Sequence, residues 1–394
     1  MNWVDLLVLL LALVAALSGA RQGVIIAAPA ILGALGGALL GLVLAPIAVA
    51  QFTNVTVRVV VLVAVIVLLA VLGETLGVLI GRPLREKIHQ SRIVWLDNTL
   101  GAITQGAVVF VVAWLLAVPL TSVAGLPGLS SAVKGSAVLG TVDEVMPQAG
   151  KDLSGELRRL LNVSGFPTML DPFSTTPRTD VGPADAALGN SPVAKQVQAS
   201  VLKVRAQASS CSRALEGTGF VVARGRVMTN AHVVAGADTV AVEVGRGQFD
   251  ATVVHYDPQT DLAVLDVPDL TAAALPFAPA DAKSGQDGIV LGYPLDGPYT
   301  ATAARVRDRI QLRGPDIYES RTVTRDVYTV RGTVRSGNSG GPLVDPQGRV
   351  LGVVFGAAVD DQETGFVLTA DEVADEVKNA PGMTRRVSTG ACAR

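Results

Sequence analysis

Four long apolar runs, at about residues 3–20, 24–50, 55–80 and 100–120, crowd into the first third of the chain. Nothing else in the sequence restricts the fold as strongly. A hydrocarbon core offers no water to backbone N–H and C=O groups, so a spanning segment must satisfy them internally, as a helix does. Roughly 20 apolar residues reach across, and each run comes close to or exceeds that. The 394-residue chain has a mean hydropathy of +0.45, too high for a soluble protein of this size, and the excess lies in these runs.

The first run makes a poor secretory leader, because Met1-Asn2-Trp3-Val4-Asp5 lacks a basic start and further spans follow. The second carries many glycines with Pro29 and Pro46, which suit close helix packing or a kink. Arg21 lies between the first two runs, and Arg82, Arg85, Lys87 and Arg92 between the last two. Basic loops favour the cytoplasm. The N-terminus and everything after residue 120 are therefore expected outside. Arg58 and Glu74 fall inside the third run, where charges are functional candidates. Both sit near its ends, and a side chain reaching to the interface explains them more simply.

After residue 120 the character changes. Gly, Ser and Pro are scattered among short amphipathic patches; 152–161 predicts a short helix, and the breaker-rich 171–191 a flexible linker. From about 193 onward short β-type runs recur, at 219–222, 227–229, 239–244, 262–267, 289–292, 350–354 and 365–368. Many short strands separated by turn residues predict a sandwich or barrel. A late helix is expected over 370–378, opened by a capping box at Thr369-Ala370-Asp371-Glu372.

Within that half, Gly337-Asn338-Ser339-Gly340-Gly341-Pro342-Leu343 sets a serine in a glycine-rich turn. A serine hydroxyl becomes a nucleophile only when a base takes its proton. It also needs N–H groups aimed at the developing oxyanion, which Gly337 and Ser339 can supply, while Gly340 and Gly341 let a substrate backbone approach. Of the three histidines, His232 and His255 lie in this half. His232 follows a predicted strand, and Asp261 leads into another. Singly, a histidine there is structural and an aspartate is a turn residue. Together His232, Asp261 and Ser339 supply base, orienting carboxylate and nucleophile, in one of the chain orders this constellation takes.

Thr218-Gly219-Phe220-Val221-Val222, Thr229-Asn230-Ala231-His232-Val233-Val234, Thr260-Asp261-Leu262-Ala263-Val264 and Gly337–Val344 resemble the blocks of chymotrypsin-fold proteases of the HtrA type, over about residues 215–370. His255 has no matching block and is read as structural. The stretch Leu96-Asp97-Asn98-Thr99-Leu100-Gly101-Ala102, with four spans, resembles the CvpA-like colicin V production family. As a whole the chain resembles the MarP-like actinobacterial membrane-anchored periplasmic serine proteases. That resemblance implies an all-α domain of four transmembrane helices at 1–120, an extracytoplasmic linker at 121–192, and an all-β chymotrypsin-like double β-barrel at 193–394. It implies a serine endopeptidase cleaving envelope or periplasmic proteins, in resistance to acid or oxidative stress, held in the bacterial plasma membrane. The four spans, where HtrA-type proteases usually have one, and the expected lack of a PDZ domain depart from the HtrA pattern.

In chymotrypsin-like folds the residue six before the nucleophile lies at the base of the primary pocket. By that resemblance Thr333 stands there, so a preference for Lys or Arg loses its usual cause. Val353, Val354, Phe355 and Gly356 would form the pocket wall, with Gly365 and Phe366 on the far side. An apolar or small residue before the cut is then expected. Cys211 and Cys392 read either as one disulfide in an oxidising compartment or as two unrelated buried thiols. The resemblance favours the disulfide, pinning the chain's tail to the barrel domain.

A net charge of −2 and a pI near 6.0 give no reason to expect nucleic acid. Two histidines and two cysteines without ligand spacing imply no metal, and no other cofactor is expected. The partners expected are a protein or peptide substrate and the lipid bilayer, with self-cleavage in the linker a further outcome. Acid poses a difficulty, because the base must be neutral and an ordinary imidazole titrates near pH 6.5. Two other readings stay open: a catalytically silent protease fold that signals envelope damage through the spans, and a transporter with an appended regulatory protease.

Overall fold

The computed structural model describes residues 1–52, 55–86, 91–121, 127–147, 150–151, 166–167, 169–170, 173–177, 179–245 and 247–393. It divides into two compact units, Met1–Val163 with Pro172–Thr175, and Ser164–Asp171 with Thr176–Arg394.

The first unit is helical: α1 (Trp3–Gln22), α2 (Val24–Val49), α3 (Val55–Arg85), α4 (Ser91–Leu120), α5 (Pro127–Lys134) and α6 (Ala137–Val145). The first four match the apolar runs and are long and apolar enough to cross a membrane. Glycines set their spacing. A methyl at Gly19 or Gly101 would strike the opposite backbone of the α1–α4 pair, and Gly33 and Gly73 do the same for α2–α3. Polar residues close the helix ends. Buried Asp5 accepts from Asn2 N (2.7 Å), Ser136 Oγ (2.5 Å) and Val138 N (3.0 Å), tying the start of α1 to α6. Asp97, from the colicin V-like stretch, accepts from Ile25 N at 2.9 Å and faces Arg85 Nε at 3.4 Å. Arg85 in turn donates to Arg21 O and Asn98 Oδ1. That stretch therefore caps the start of α2 through Asp97, and holds Arg85, which caps the end of α1. Glu74 is exposed and Arg58 half-buried. The helix expected at 152–161 lies outside the described residues.

The second unit holds two closed six-stranded antiparallel barrels. The first comprises β1 (Val201–Ala208), β2 (Arg213–Ala223), β3 (Arg226–Thr229), β4 (Thr239–Val244), β5 (Gly247–Asp257) and β6 (Leu262–Asp266). The second comprises β7 (Asp287–Gly292), β8 (Thr300–Pro315), β9 (Thr322–Arg331), β10 (Pro342–Val344), β11 (Val350–Ala357) and β12 (Thr364–Thr369). Period-two alternation sends one side-chain set into each barrel: Leu202, Val204, Val242 and Leu265 in the first, Val290, Ala304, Val354 and Val367 in the second. A further cluster forms the seam between barrels, where Phe220, Met228 and Leu262 meet Val353, Phe355 and Phe366. The catalytic candidates lie along this seam.

Two expectations need correction. Past β12 the helix, α9, runs only over Ala374–Asn379. Thr369 Oγ1 does accept from Glu372 N (3.1 Å), but the Glu372 carboxylate turns away to take Asp326 N (3.0 Å), so the box is half-made and 370–373 remain a turn. The stretch 171–191, expected as a flexible linker, is tied down where it is described. Thr176 bonds to Asp360, Arg307 donates to Thr179 O (3.1 Å), and Arg331 to Val181 O (2.7 Å). A breaker-rich chain cannot pair its own carbonyls, and arginines on β8 and β9 do it instead. Residues 186–190 then form a 3-10 turn, and α7 (Pro192–Gln196) is capped by Ser191.

Candidate active site

β3 ends at Thr229, and the chain turns through Asn230 into α8 (Ala231–Val234), which carries His232. Asp261 meets it from the turn between β5 and β6. His232 N donates to Asp261 Oδ1 at 2.9 Å, and Nδ1 lies 2.7 Å from Oδ2. Both carboxylate oxygens are thus used to orient one histidine. Asp261 has φ +64°, a left-handed conformation that aspartate tolerates better than most residues. Asn230 Nδ2 holds its carbonyl at 2.7 Å. Behind it stands Arg325, 2% exposed, donating to Gln259 O (2.7 Å) and Pro315 O (3.2 Å) with its guanidinium over the Phe355 ring. Burial pulls the Arg325 pKa below its ordinary value, against the opposing effect of the carboxylates of Asp261, Asp316, Glu372 and Asp257.

Ser339 sits in a turn that requires glycine. Gly337 (φ +90°) and Gly340 (φ +80°) are left-handed, and a methyl on either would collide with Tyr293 O or Thr218 O. Thr218, on the other barrel, grips this turn twice: Oγ1 donates to Gly337 O (2.5 Å), and N donates to Ser339 O (2.7 Å). Asn338 closes it from inside, accepting from Arg335 N at 3.0 Å. Among the described residues no acceptor is bonded to Gly337 N or Ser339 N, the two amides needed for an oxyanion. The remaining arm is open. Ser339 Oγ and His232 Nε2 are both buried, and neither has a hydrogen-bond partner.

A second support reaches the turn from residues 293–297. Leu295 N donates to Ser336 O at 2.7 Å, with Leu295 (φ +55°) and Asp296 (φ +57°) both left-handed. Lys203 Nζ bonds Asp296 O and Oδ1, each at 2.8 Å, and Arg205 adds a bond to Oδ1 at 2.9 Å. The Lys203 bond leads in holding the Asp296 carboxyl below its usual range, while burial and the Asp296 charge push Glu216 above its own.

The pocket residues scatter more. Val353, Phe355 and Phe366 point into the seam, and Val354 into the second barrel beside Val334. Gly365 leaves room that Val334 fills, and a bulge between Val354 and Gly356 bends β11 there. Thr333 is exposed and lines a cavity of about 400 Å³ with Gly189, Ala303, Arg331 and Glu363. His255 is half-buried in β5, its Nε2 3.9 Å from Glu376. Cys211 and Cys392 are joined in a disulfide. Sequence reasoning missed Arg325 and the 293–297 support. Thr218 and Asn230 stood inside recognised blocks, and only their bonding partners were out of sight.

A trypsin-like peptidase domain family matches residues 217–353, and a colicin V production protein family matches residues 4–147. The serine protease Rv3671c of Mycobacterium tuberculosis is 49% identical over 392 residues, covering 99% of this chain and 98% of that protein. The serine protease HTRA1A of Danio rerio is 34% identical over 141 residues, 35% of this chain and 29% of that protein. The crystal structure of the Rv3671c protease in its active form superposes with a TM-score of 0.55 at 55% identity, over 58% of this chain and all of that one.

Proposed function

The chain belongs to the family of the Mycobacterium tuberculosis serine protease Rv3671c, and on that premise we propose that Ser339 is its nucleophile, His232 its general base and then acid, and Asp261 the orienting carboxylate. The observation that carries this reading is the two-point grip of Asp261 on His232, through N and Nδ1. With Nδ1–H so held, Nε2 is left as the acceptor for the Ser339 proton. His232 takes the Ser339 proton as Oγ attacks the carbonyl carbon. The oxyanion then meets the free amides of Gly337 and Ser339. The leaving amine takes the proton from His232, and water resolves the acyl-enzyme by the same steps.

The unit with the spans anchors the chain, and the positive-inside bias supports an extracytoplasmic catalytic unit acting on envelope proteins. A part in acid or oxidative stress is the physiological role we assign. The test is a membrane-impermeant fluorophosphonate applied to right-side-out membrane vesicles. Labelling is expected at this chain, to be abolished by Ser339→Ala, and a strain carrying only that variant should survive acid poorly. The open Ser339–His232 arm lends weight to one alternative, a catalytically silent sensor. That alternative predicts no label and normal acid survival of the Ser339→Ala strain.

A further inference from the structure

Apolar residues of the connector are buried inside the catalytic unit. Phe166 is 6% exposed and belongs to the cluster containing Val330, Val334, Val354 and Val367. Met169 and Leu170, 6% and 8% exposed, join the seam cluster with Leu312, Phe355 and Phe366. A methyl on Gly356 would lie 2.8 Å from Met169 Sδ, and one on Gly314 would strike the Met169 carbonyl. Six residues further on, Thr176 is fastened to Asp360 by its N (3.1 Å) and its Oγ1 (2.5 Å). Val354 of the same cluster as Phe166 and Gly356 with its bulge are among the residues expected from the sequence to wall the primary pocket. A third observation lies at the chemistry itself. Ser339 Oγ and His232 Nε2 are buried and unpaired, although a protease must present both to an incoming peptide.

We propose that Phe166, Met169 and Leu170 plug the peptide cleft of their own chain, and that the ligand this cleft takes is an extended peptide with two large apolar side chains three positions apart. This rests on the proteolytic reading above. Phe166 and Met169 are that pair, and the free energy of their burial holds the plug in place. Because the plug is tethered, a substrate competes against a local concentration in the millimolar range. Pro167 stiffens the segment and lowers the cost of ordering it.

The experiment uses the full chain in detergent micelles, comparing it with a Phe166→Asp, Met169→Asp variant. The variant should react with fluorophosphonate on the order of ten- to hundredfold faster, given two buried apolar side chains released. Separately, both chains are made as Ser339→Ala and titrated with a fluorescent peptide of the sequence of residues 163–172. Anisotropy should rise with the plug variant and stay flat with the plugged chain, and a peptide with Asp at the two apolar positions should not bind. Should the aspartate pair fail to melt cooperatively, the alanine pair replaces it with the same expectations. Equal labelling rates with equal peptide binding in folded chains would overturn the plug. Absent labelling with the binding difference intact would instead overturn the proteolytic reading and leave the plug standing.

Discussion

At the scale of single residues, Arg325 carries the most weight for its size. It is a buried cation that braces the carbonyl of Gln259, two residues before a left-handed Asp261. Arg325→Met leaves Gln259 O and Pro315 O without their donor and Asp261 without its nearby positive charge. Loss of one partner from such a buried set costs roughly 3–5 kcal/mol. Denaturant unfolding should show that drop, with Arg325→Lys intermediate because an ammonium cannot copy the fork; an unchanged midpoint would remove Arg325 from the account. Asp296 works in the open. Its carboxyl is held below the usual value, so its contribution is present above about pH 3.8 and fades only as pH falls through the still lower folded value. Glu216 is raised, so its folded-state benefit is full below about pH 4.5 and is lost as pH rises through its elevated value, where its charge faces Asp296. Mild acid therefore leaves the Lys203–Asp296 contact in place and quiets Glu216. Asp296→Asn should lower kcat by about tenfold with little change in KM, less than the 10²–10³ for deleting an oxyanion donor. Glu216→Gln should change activity at pH 7 but not at pH 4. A KM effect alone from Asp296→Asn would mean that the loop binds substrate and does not position the turn.

At the scale of elements, legibility followed chemistry. Strands buried on at least one full face, such as β6 and β11, were plain as apolar runs. β8 was not, because it interleaves Arg305, Arg307, Asp308 and Arg309 with Val306 and Ile310 and reads as a polar stretch, although Arg307 is buried. β1, β5 and β9 were hidden for the same reason. Of the candidate site, the His232–Asp261 pair and the glycine turn at Ser339 were legible because the chemistry they are proposed for needs fixed residue types in local motifs. Arg325 lies 64 residues beyond Asp261 and meets it only when the barrels dock, so no local signal marked it. The connector misled because composition reports what a segment cannot do alone, and here its partners are arginines on strands more than a hundred residues away. The disulfide closes a loop of 181 residues. Chain entropy assigns such a bridge at most about 5 kcal/mol. A Cys211→Ser, Cys392→Ser chain should lose part of that in an unfolding titration. Hydrogen exchange should quicken at Gly236, whose N–H is bonded to Thr389 O; unchanged exchange there would mean the tail holds without the bridge.

For the whole molecule, the two units differ in what keeps them together. The helical unit relies on glycine contacts and end caps, features that bilayer and backbone geometry demand of any bundle of this kind. The barrel unit relies on a seam that also carries the candidate triad, so Thr218 both locks two barrels and shapes the Ser339 turn. The tail adds a mechanical side. Gly236, four residues after His232, lies against Cys392, and Tyr318 donates to Ala391 O from the second barrel. Tension applied at the end of the chain would bypass α9 and pass through the bridge to Cys211 and through the Gly236 contact beside α8. The load would thus converge on the first barrel, beside the short helix that carries His232, so that pulling on the tail would strain the candidate site before it strained the second barrel.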